Sequence, residues 1–218
     1  EQENGKNMAL AIRMGDGEKV KKSFLGLWNQ MLNGEQFHPA DVRMKLLEVT
    51  TLASRAAVEG GVDPEQVGVF SFSSDLQMTL TDGLSEIRDQ VLNWLEDLVT
   101  RVRASREFRN SSLVEKAVQY VQENYHQELS LEDVARQVYL SPCYFSRLFK
   151  QVKGWSFSEY LTQVRMEEAR RLLLHTDMLV SEIAARVGYR DARYFSQVFK
   201  KTEGTTPVSY RRDVNKQI

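Results

Sequence analysis

One pattern occurs twice between Leu131 and Tyr210, and it constrains the fold more than any other feature of the chain. The first copy reads Leu131-Glu-Asp-Val134-Ala135-Arg136-Gln-Val138, then Tyr144-Phe145-Ser146-Arg147-Leu148-Phe149-Lys150, then Gly154. The second reads Val180-Ser-Glu-Ile183-Ala184-Ala-Arg-Val187, then Tyr194-Phe195-Ser196-Gln197-Val198-Phe199-Lys200, then Gly204. The copies lie 49 residues apart in their first halves and 50 in their second, so one residue enters at the turn. Each copy predicts two short helices joined by a tight turn, a helix-turn-helix used twice.

Local chemistry fixes where these helices begin and end. Ser130 with Asp133 three residues on is a capping-box pattern opening a helix over Leu131–Val138. Tyr139-Leu140-Ser141 makes the turn, Ser141 caps the next helix, and Pro142 stands where a missing N–H is harmless. Gly154 ends it, and Gly188 supplies the positive φ that the second turn requires. A longer helix from about Ser156 to His175 connects the copies, and Thr206-Pro207 opens a last one near Tyr210, Arg211 and Arg212.

The second helix of each copy has two faces. Phe145, Leu148, Phe149 and Val152 point inward with Val134, Ala135 and Val138, as do Phe195, Val198 and Phe199 with Ile183, Ala184 and Val187. Cys143, Ser146, Arg147 and Lys150 fall on the outward face at helical spacing, as do Ala192, Arg193, Ser196, Gln197 and Lys200. The inner residues are packing. The shared Tyr-Phe-Ser and Phe-Lys are expected to pack alike, while Cys143 against Arg193 and Arg147 against Gln197 diverge on the outward face.

The chain has 218 residues and a net charge of −1, which conceals an asymmetry. Residues 1–100 carry 9 Lys and Arg against 16 Asp and Glu, whereas residues 101–218 carry 20 against 14. A basic half joined to an acidic half suits a polyanion-binding module attached to something else. No run approaches the ~18 apolar residues of a membrane span, so no membrane partner is expected. A single cysteine, Cys143, excludes an intrachain disulfide and a cysteine-rich metal site, and the cytoplasm is the default compartment. The start, Glu1-Gln-Glu-Asn-Gly-Lys6, lacks the apolar stretch of a signal peptide and an initiator Met, which suits a piece of a longer chain.

The acidic half is predicted to be helical. Val20, Phe24, Leu27, Trp28, Met31 and Leu32 recur at helical spacing over Glu18–Asn33, with Gly34 as C-terminal cap. Pro39 opens a second helix through Leu46, Leu47, Thr50, Ala53 and Ala57 to Gly60-Gly61, and Asp63-Pro64 opens a short third. Gln66–Phe72 is the one short β-like run. The longest helix is expected from Asp82-Gly83 to about Phe108, with Leu84, Ile87, Val91, Trp94, Leu98 and Val102 as a heptad-like stripe and Leu95 beside it. That stripe suits either the seam of an intramolecular bundle or a dimer seam. Arg101, Arg103, Arg106 and Arg109 suit the negative end of that helix, or phosphate if the end lies near DNA. Asn110-Ser111-Ser112 reads as a linker before a helix over Leu113–His126, placing Leu113, Ala117, Tyr120, Val121 and Tyr125 on one face.

From Leu113 to Arg212 the chain resembles the AraC/XylS family of bacterial transcription regulators. The likeness is densest at Ile183-Ala184, Gly188-Tyr189, Tyr194-Phe195-Ser196, Phe199-Lys200-Lys201, Gly204, Thr206-Pro207 and Tyr210-Arg211. The resemblance implies seven helices in a double-stranded-DNA-binding unit, with recognition helices at about 142–152 and 192–202 entering successive major-groove segments. It assigns base-reading positions to Pro142, Cys143, Ser146, Arg147 and Lys150, and to Ala192, Arg193, Ser196, Gln197 and Lys200. Arg147 suits guanine and Gln197 adenine, whereas Lys150, Lys200 and Lys201 suit phosphate. Activation of transcription through RNA polymerase is the expected outcome.

Leu52-Ala53-Ser54-Arg55-Ala56-Ala57-Val58-Glu59-Gly60-Gly61, with Trp94-Leu95 downstream, resembles a helical connector found before this domain in some family members. There it follows a receiver domain or a small-ligand domain like that of the propanediol-utilisation regulator, so a small-molecule or phosphorylation input from a domain absent here is implied. The expected architecture is all-α. Residues 1–110 form a helical bundle or connector through which the chain homodimerises, and residues 111–218 form the tandem helix-turn-helix domain.

Enzyme motifs are lacking, since His38, His126 and His175 stand far apart and no metalloprotease, phosphate-loop or nucleophile-elbow pattern occurs. Neither catalysis nor a cofactor is expected. A helical protein-interaction module that no longer binds DNA is the alternative, and the outward Arg, Lys, Ser and Gln of both copies argue against it.

Overall fold

The computed structural model describes residues 2–32, 39–67 and 83–215, which form eleven helices and no strand. They are α1 (Gln2–Met14), α2 (Gly17–Leu32), α3 (Pro39–Glu59), α4 (Pro64–Val67), α5 (Leu84–Asn124), α6 (Leu131–Gln137), α7 (Pro142–Lys153), α8 (Phe157–His175), α9 (Val180–Arg186), α10 (Ala192–Glu203) and α11 (Pro207–Asn215). Two compact units divide the chain, Glu1–Arg109 and Asn110–Ile218. Gly34, His38, Asp82 and most of the β-like run lie outside the described residues, and Gln66 and Val67 belong to α4.

In the first unit, α1, α2, α3 and the start of α5 share one core built on Met8, Ile12, Phe24, Leu46, Ala53, Val91, Leu95, Leu98 and Val102. The heptad-like stripe of α5 therefore packs within its own unit, as a bundle seam rather than a dimer seam. Its register also shifts. Leu95 is fully buried at the centre, and Ile87 and Trp94 pack at the edge.

Helix α1 lies outside the helices that sequence spacing predicts, although Met8 and Ile12 are fully buried four residues apart on one face. It is held at its C-terminus by two of the four arginines. Arg106 Nη1 donates to Met14 O at 2.8 Å and Arg103 Nε donates to Gly15 O at 2.6 Å. Arg101 binds Asp97 and Gln66 O, and Arg109 lies against Gly61. These arginines do not sit at the end of their own helix, because α5 runs on to Asn124. The favourable charge–dipole interaction survives, transferred to the carboxyl end of α1.

The expected linker at Asn110-Ser111-Ser112 is helical and lies within α5. Exposed serines in a helix interior cost only about 0.5 kcal/mol each. Beyond them Val114, Ala117, Val118 and Val121 are buried in the second unit, each worth roughly 1–2 kcal/mol. Packing outweighs the local propensity.

The second unit contains two cores. Val114, Ala117 and Val121 of α5 join Val134, Ala135, Phe145, Leu148 and Phe149 and the start of α8 at Phe157 and Leu161. Met166, Ala169, Leu172 and Leu173 further along α8 join Ile183, Ala184, Val187, Tyr189, Phe195 and Phe199. Helix α8 is thus a wall of both. Its Ser156–Glu159 capping box fixes its start. With the last part of α5 and α6 to α11, this unit is a tandem helix-turn-helix of seven helices.

Candidate nucleic-acid interface

Helices α7 and α10 are set by their ends and their aromatic inner faces. Ser141 Oγ accepts from Tyr144 N at 3.4 Å, with Pro142 in the first turn, and Asp191 Oδ1 accepts from Arg193 N and Tyr194 N, both at 2.7 Å. Such caps stabilise a helix by about 1 kcal/mol. Both helices end at a left-handed glycine, Gly154 or Gly204.

Inside, the rings of Phe145 and Phe149 pack at a tilt with centroids 5.5 Å apart and those of Phe195 and Phe199 at 5.8 Å, all four fully buried. The following helix closes each pair in the same way. Tyr160 meets Phe149 edge-on at 5.5 Å, and Tyr210 meets Phe199 edge-on at 5.5 Å. Burial and edge-to-face geometry together leave little freedom of rotation about either helix axis.

That rotation decides what faces outward. On α7 Pro142, Cys143, Arg147 and Lys150 are exposed and Ser146 is half-buried. Arg147 folds back along its own helix, its Nη2 lying 3.7 Å from Cys143 Sγ and its Nε 3.4 Å from Cys143 O. On α10 Arg193, Gln197, Lys200 and Lys201 are exposed, while Ala192 and Ser196 are half-buried. Ser196 Oγ donates to Ala192 O at 2.8 Å, which turns its hydroxyl toward the backbone. Each set therefore lies along one helix as one outward strip, with serine at its margin.

The shared residues pack less uniformly than the repeat implies. Only the phenylalanines of Tyr-Phe-Ser and Phe-Lys are core. Tyr144 and Tyr194 are 40% and 59% exposed, so both rings border the outward strips. Tyr144 Oη reaches Asn110 Oδ1 at 3.5 Å, whereas Tyr194 lies 6.0 Å from the ring of Tyr189. Lys150 and Lys200 fall in the last turns of their helices, where a cation also offsets the helix dipole.

Supporting contacts come from residues that sequence spacing does not connect. Arg170 Nη1 on α8 pairs with Glu203 Oε1 at the end of α10 at 2.6 Å, and Lys153 Nζ pairs with Glu115 of α5 at 2.7 Å. Arg211 donates to Leu173 O and Met178 O, tying off the carboxyl end of α8. Arg165 does the same for α5, donating to Tyr125 O and Gln127 O, both at 2.8 Å. Asp191 had a legible signal, an Asp just before an amphipathic run; the arginines had none.

Among the described residues no group of three or more His, Cys, Asp and Glu is placed to hold a metal ion, and no helix is long and apolar enough to cross a membrane. In the first unit a groove of about 710 Å3 runs over Leu27, Met31, Val49 and Leu52. At its rim Arg13 and Arg55 both bind Glu59.

Residues 134–213 match the family described as a helix-turn-helix domain. The regulatory protein PocR of Salmonella typhimurium is 42% identical over 106 residues, which are 49% of this chain and 35% of that protein. The uncharacterized HTH-type transcriptional regulator YtdP of Bacillus subtilis is 29% identical over 213 residues, 93% of this chain and 26% of that protein. The C-terminal domain of AraT, a response regulator from Geobacillus stearothermophilus, is 48% identical with a TM-score of 0.46, over 46% of this chain and 84% of that one. The chain thus spans about a third or less of the length of these two curated relatives.

Proposed function

Because this chain belongs, through residues 134–213, to the AraC-type helix-turn-helix family, we propose that its second unit binds double-stranded DNA and regulates transcription. The observation that carries this reading is the pair of outward strips on α7 and α10. Both helices are capped and locked by buried phenylalanines, and both expose Arg, Lys or Gln without a carboxylate among the expected reading positions. The relatives' names, a regulatory protein and a transcriptional regulator, support the same reading.

In this mechanism Arg147 pairs bidentately with guanine and Gln197 with adenine, each good pair giving roughly 1–3 kcal/mol of discrimination. Lys150, Lys200 and Lys201 bind phosphate and set register. Cys143 and Ala192 are too short for a long-range contact and read shape or a thymine methyl. Because the two strips differ, the site is asymmetric, with two unlike sub-sites about one helical turn, ~34 Å, apart. Selection from a random DNA pool followed by footprinting tests this. Two unlike protected major-groove segments are expected; one segment, or no enriched sequence, rejects it.

The reading extends to activation through RNA polymerase, supported by the family resemblance alone. A promoter fusion carrying the selected site would show a rise in transcript on expression of the protein, and a fall would make it a repressor. Input reaches the DNA-binding unit through the first unit. Dimerisation there would use faces other than the α5 stripe, such as exposed Leu10 and Met14 of α1 or Met44 and Leu47 of α3. Sedimentation of the whole chain over a range of concentrations tests that step.

A further inference from the structure

The two helix-turn-helix copies have separate cores, joined by α8 and by a seam at one side of it. At that seam Arg165 holds both copies at once. Its Nε and Nη2 donate to Tyr125 O and Gln127 O of the first copy, and its guanidinium carbon lies 5.2 Å from the ring centroid of Tyr189 in the second. Tyr189 is itself buried, 5.5 Å from Phe195 and 6.0 Å from Tyr194, so the contact reaches α10 through one ring. A Cβ on Gly188 would stand 2.8 Å from Tyr125 O and 2.9 Å from Arg165 Nη2, so glycine is what lets the second turn come this close. Glu128 and Arg190 pair across the same seam. Around these ties a cleft of about 800 Å3 remains, lined by Leu131, Thr162, Arg165, Tyr189, Arg190 and Tyr194.

Arg211 shows what a plain cap does. It ties off α8 through Leu173 O and Met178 O, within the second copy. Arg165 makes the corresponding bonds to the end of α5 and then adds a face-on contact to the other copy's turn. Besides Arg165, the Glu128–Arg190 pair and the close approach of Gly188 to Tyr125 O span this seam, which opens on one side into the cleft. The planar fork of arginine, held by two carbonyls and laid over a ring, fixes both distance and angle, which a lysine ammonium cannot do.

We propose that Arg165 is a positioning residue that sets the angle between α7 and α10 and thereby the spacing accepted between the two DNA sub-sites. This rests on the DNA-binding reading above. Arg165 itself touches no DNA in this scheme; Gly188 and Tyr189 are its counterparts, and Glu128–Arg190 is an auxiliary tie.

The test uses the whole chain and a DNA pool in which the two selected sub-sites are separated by spacers varied one base pair at a time. Wild-type protein is expected to prefer one spacing. In Arg165→Lys the preference between the best and adjacent spacings is expected to fall by roughly fivefold or more, with base preference within each sub-site unchanged. Arg190→Glu, at an exposed tie, is expected to shift it in the same direction by less, and Glu128→Lys with Arg190→Glu to restore it. Thermal melting confirms that each variant folds. A folded Arg165→Lys protein that keeps the wild-type spacing preference, or loses affinity equally at every spacing, overturns the proposal. If Arg165→Lys does not fold, an unchanged preference in Arg190→Glu overturns it. A wild-type protein that selects no sequence defeats the DNA-binding reading instead.

Discussion

Tyr139 and Gly188 occupy the same place in the two turns, and both hold a left-handed backbone, with φ of 58° and 90°. Their surroundings differ. Tyr139 is 96% exposed, whereas a side chain on Gly188 would collide with Tyr125 O and Arg165. A left-handed non-glycine residue costs about 1–2 kcal/mol, partly offset when glycine replaces it because the unfolded chain becomes freer. Tyr139→Gly should therefore stabilise the fold by about 0.5 kcal/mol, and Gly188→Ala should destabilise it by about 2 kcal/mol or more. Chemical denaturation of both variants checks the contrast, which fails if the two shifts share a sign.

Arg147→Ala should relax base preference at one sub-site, with a loss of roughly 1–3 kcal/mol confined to the selected sequence. Lys200→Ala should weaken binding to all sequences and reduce the salt slope by about 1. Equal loss on specific and random DNA for Arg147→Ala would contradict its assignment as a reader.

Acid should weaken two helix starts. The Ser130 hydroxyl, and then its backbone N–H, hold the Asp133 carboxyl below the usual carboxylate range, and Ser156 does the same for Glu159. A lowered folded pKa stabilises above the unfolded value and loses that contribution as pH falls through the folded one. The stability gap between wild-type protein and Ser130→Ala or Ser156→Ala should thus be widest above about pH 4.5 and narrow below about pH 4. Denaturation curves in that range read the gap, and a gap that widens on acidification would reverse the sign.

Ile12→Ala should cost about 2–5 kcal/mol, because Ile12 is fully buried in the first unit's core. Arg106→Ala should cost less, about 1 kcal/mol, through the lost bond to Met14 O. Near-neutral effects in the denaturation of both variants would mean that α1 is not part of the bundle in solution.

Much of this structure is written locally. Ser130, Ser141, Ser156, Gly154 and Gly204 act on neighbours within a few residues, so spacing alone reveals them. The alternation of buried Phe145, Leu148 and Phe149 with exposed Cys143, Arg147 and Lys150 is equally local, and so is the outward strip. What escaped depends on distance. Asn110-Ser111-Ser112 reads as a break because their own propensities are weak, and only the burial of Val114 to Val121 carries α5 through them. The arginines of α5 read as end charges because the helix end they serve, that of α1, is 88 and 92 residues away. Arg165 and Tyr189 are separated by the rest of α8 and all of α9, and no periodicity joins them.

Helix α8 gives one wall to each of two cores. A cut before Val164 takes residues from the first core, a cut after Met166 takes residues from the second, and a cut between them breaks the helix beside Arg165, so neither copy is a removable module. Both copies together with the end of α5 are the smallest piece that carries the two cores whole. Chimaeras that exchange residues 110–218 as a block should fold, and those joined inside α8 should require matched residues in the stretch of the helix that each core uses.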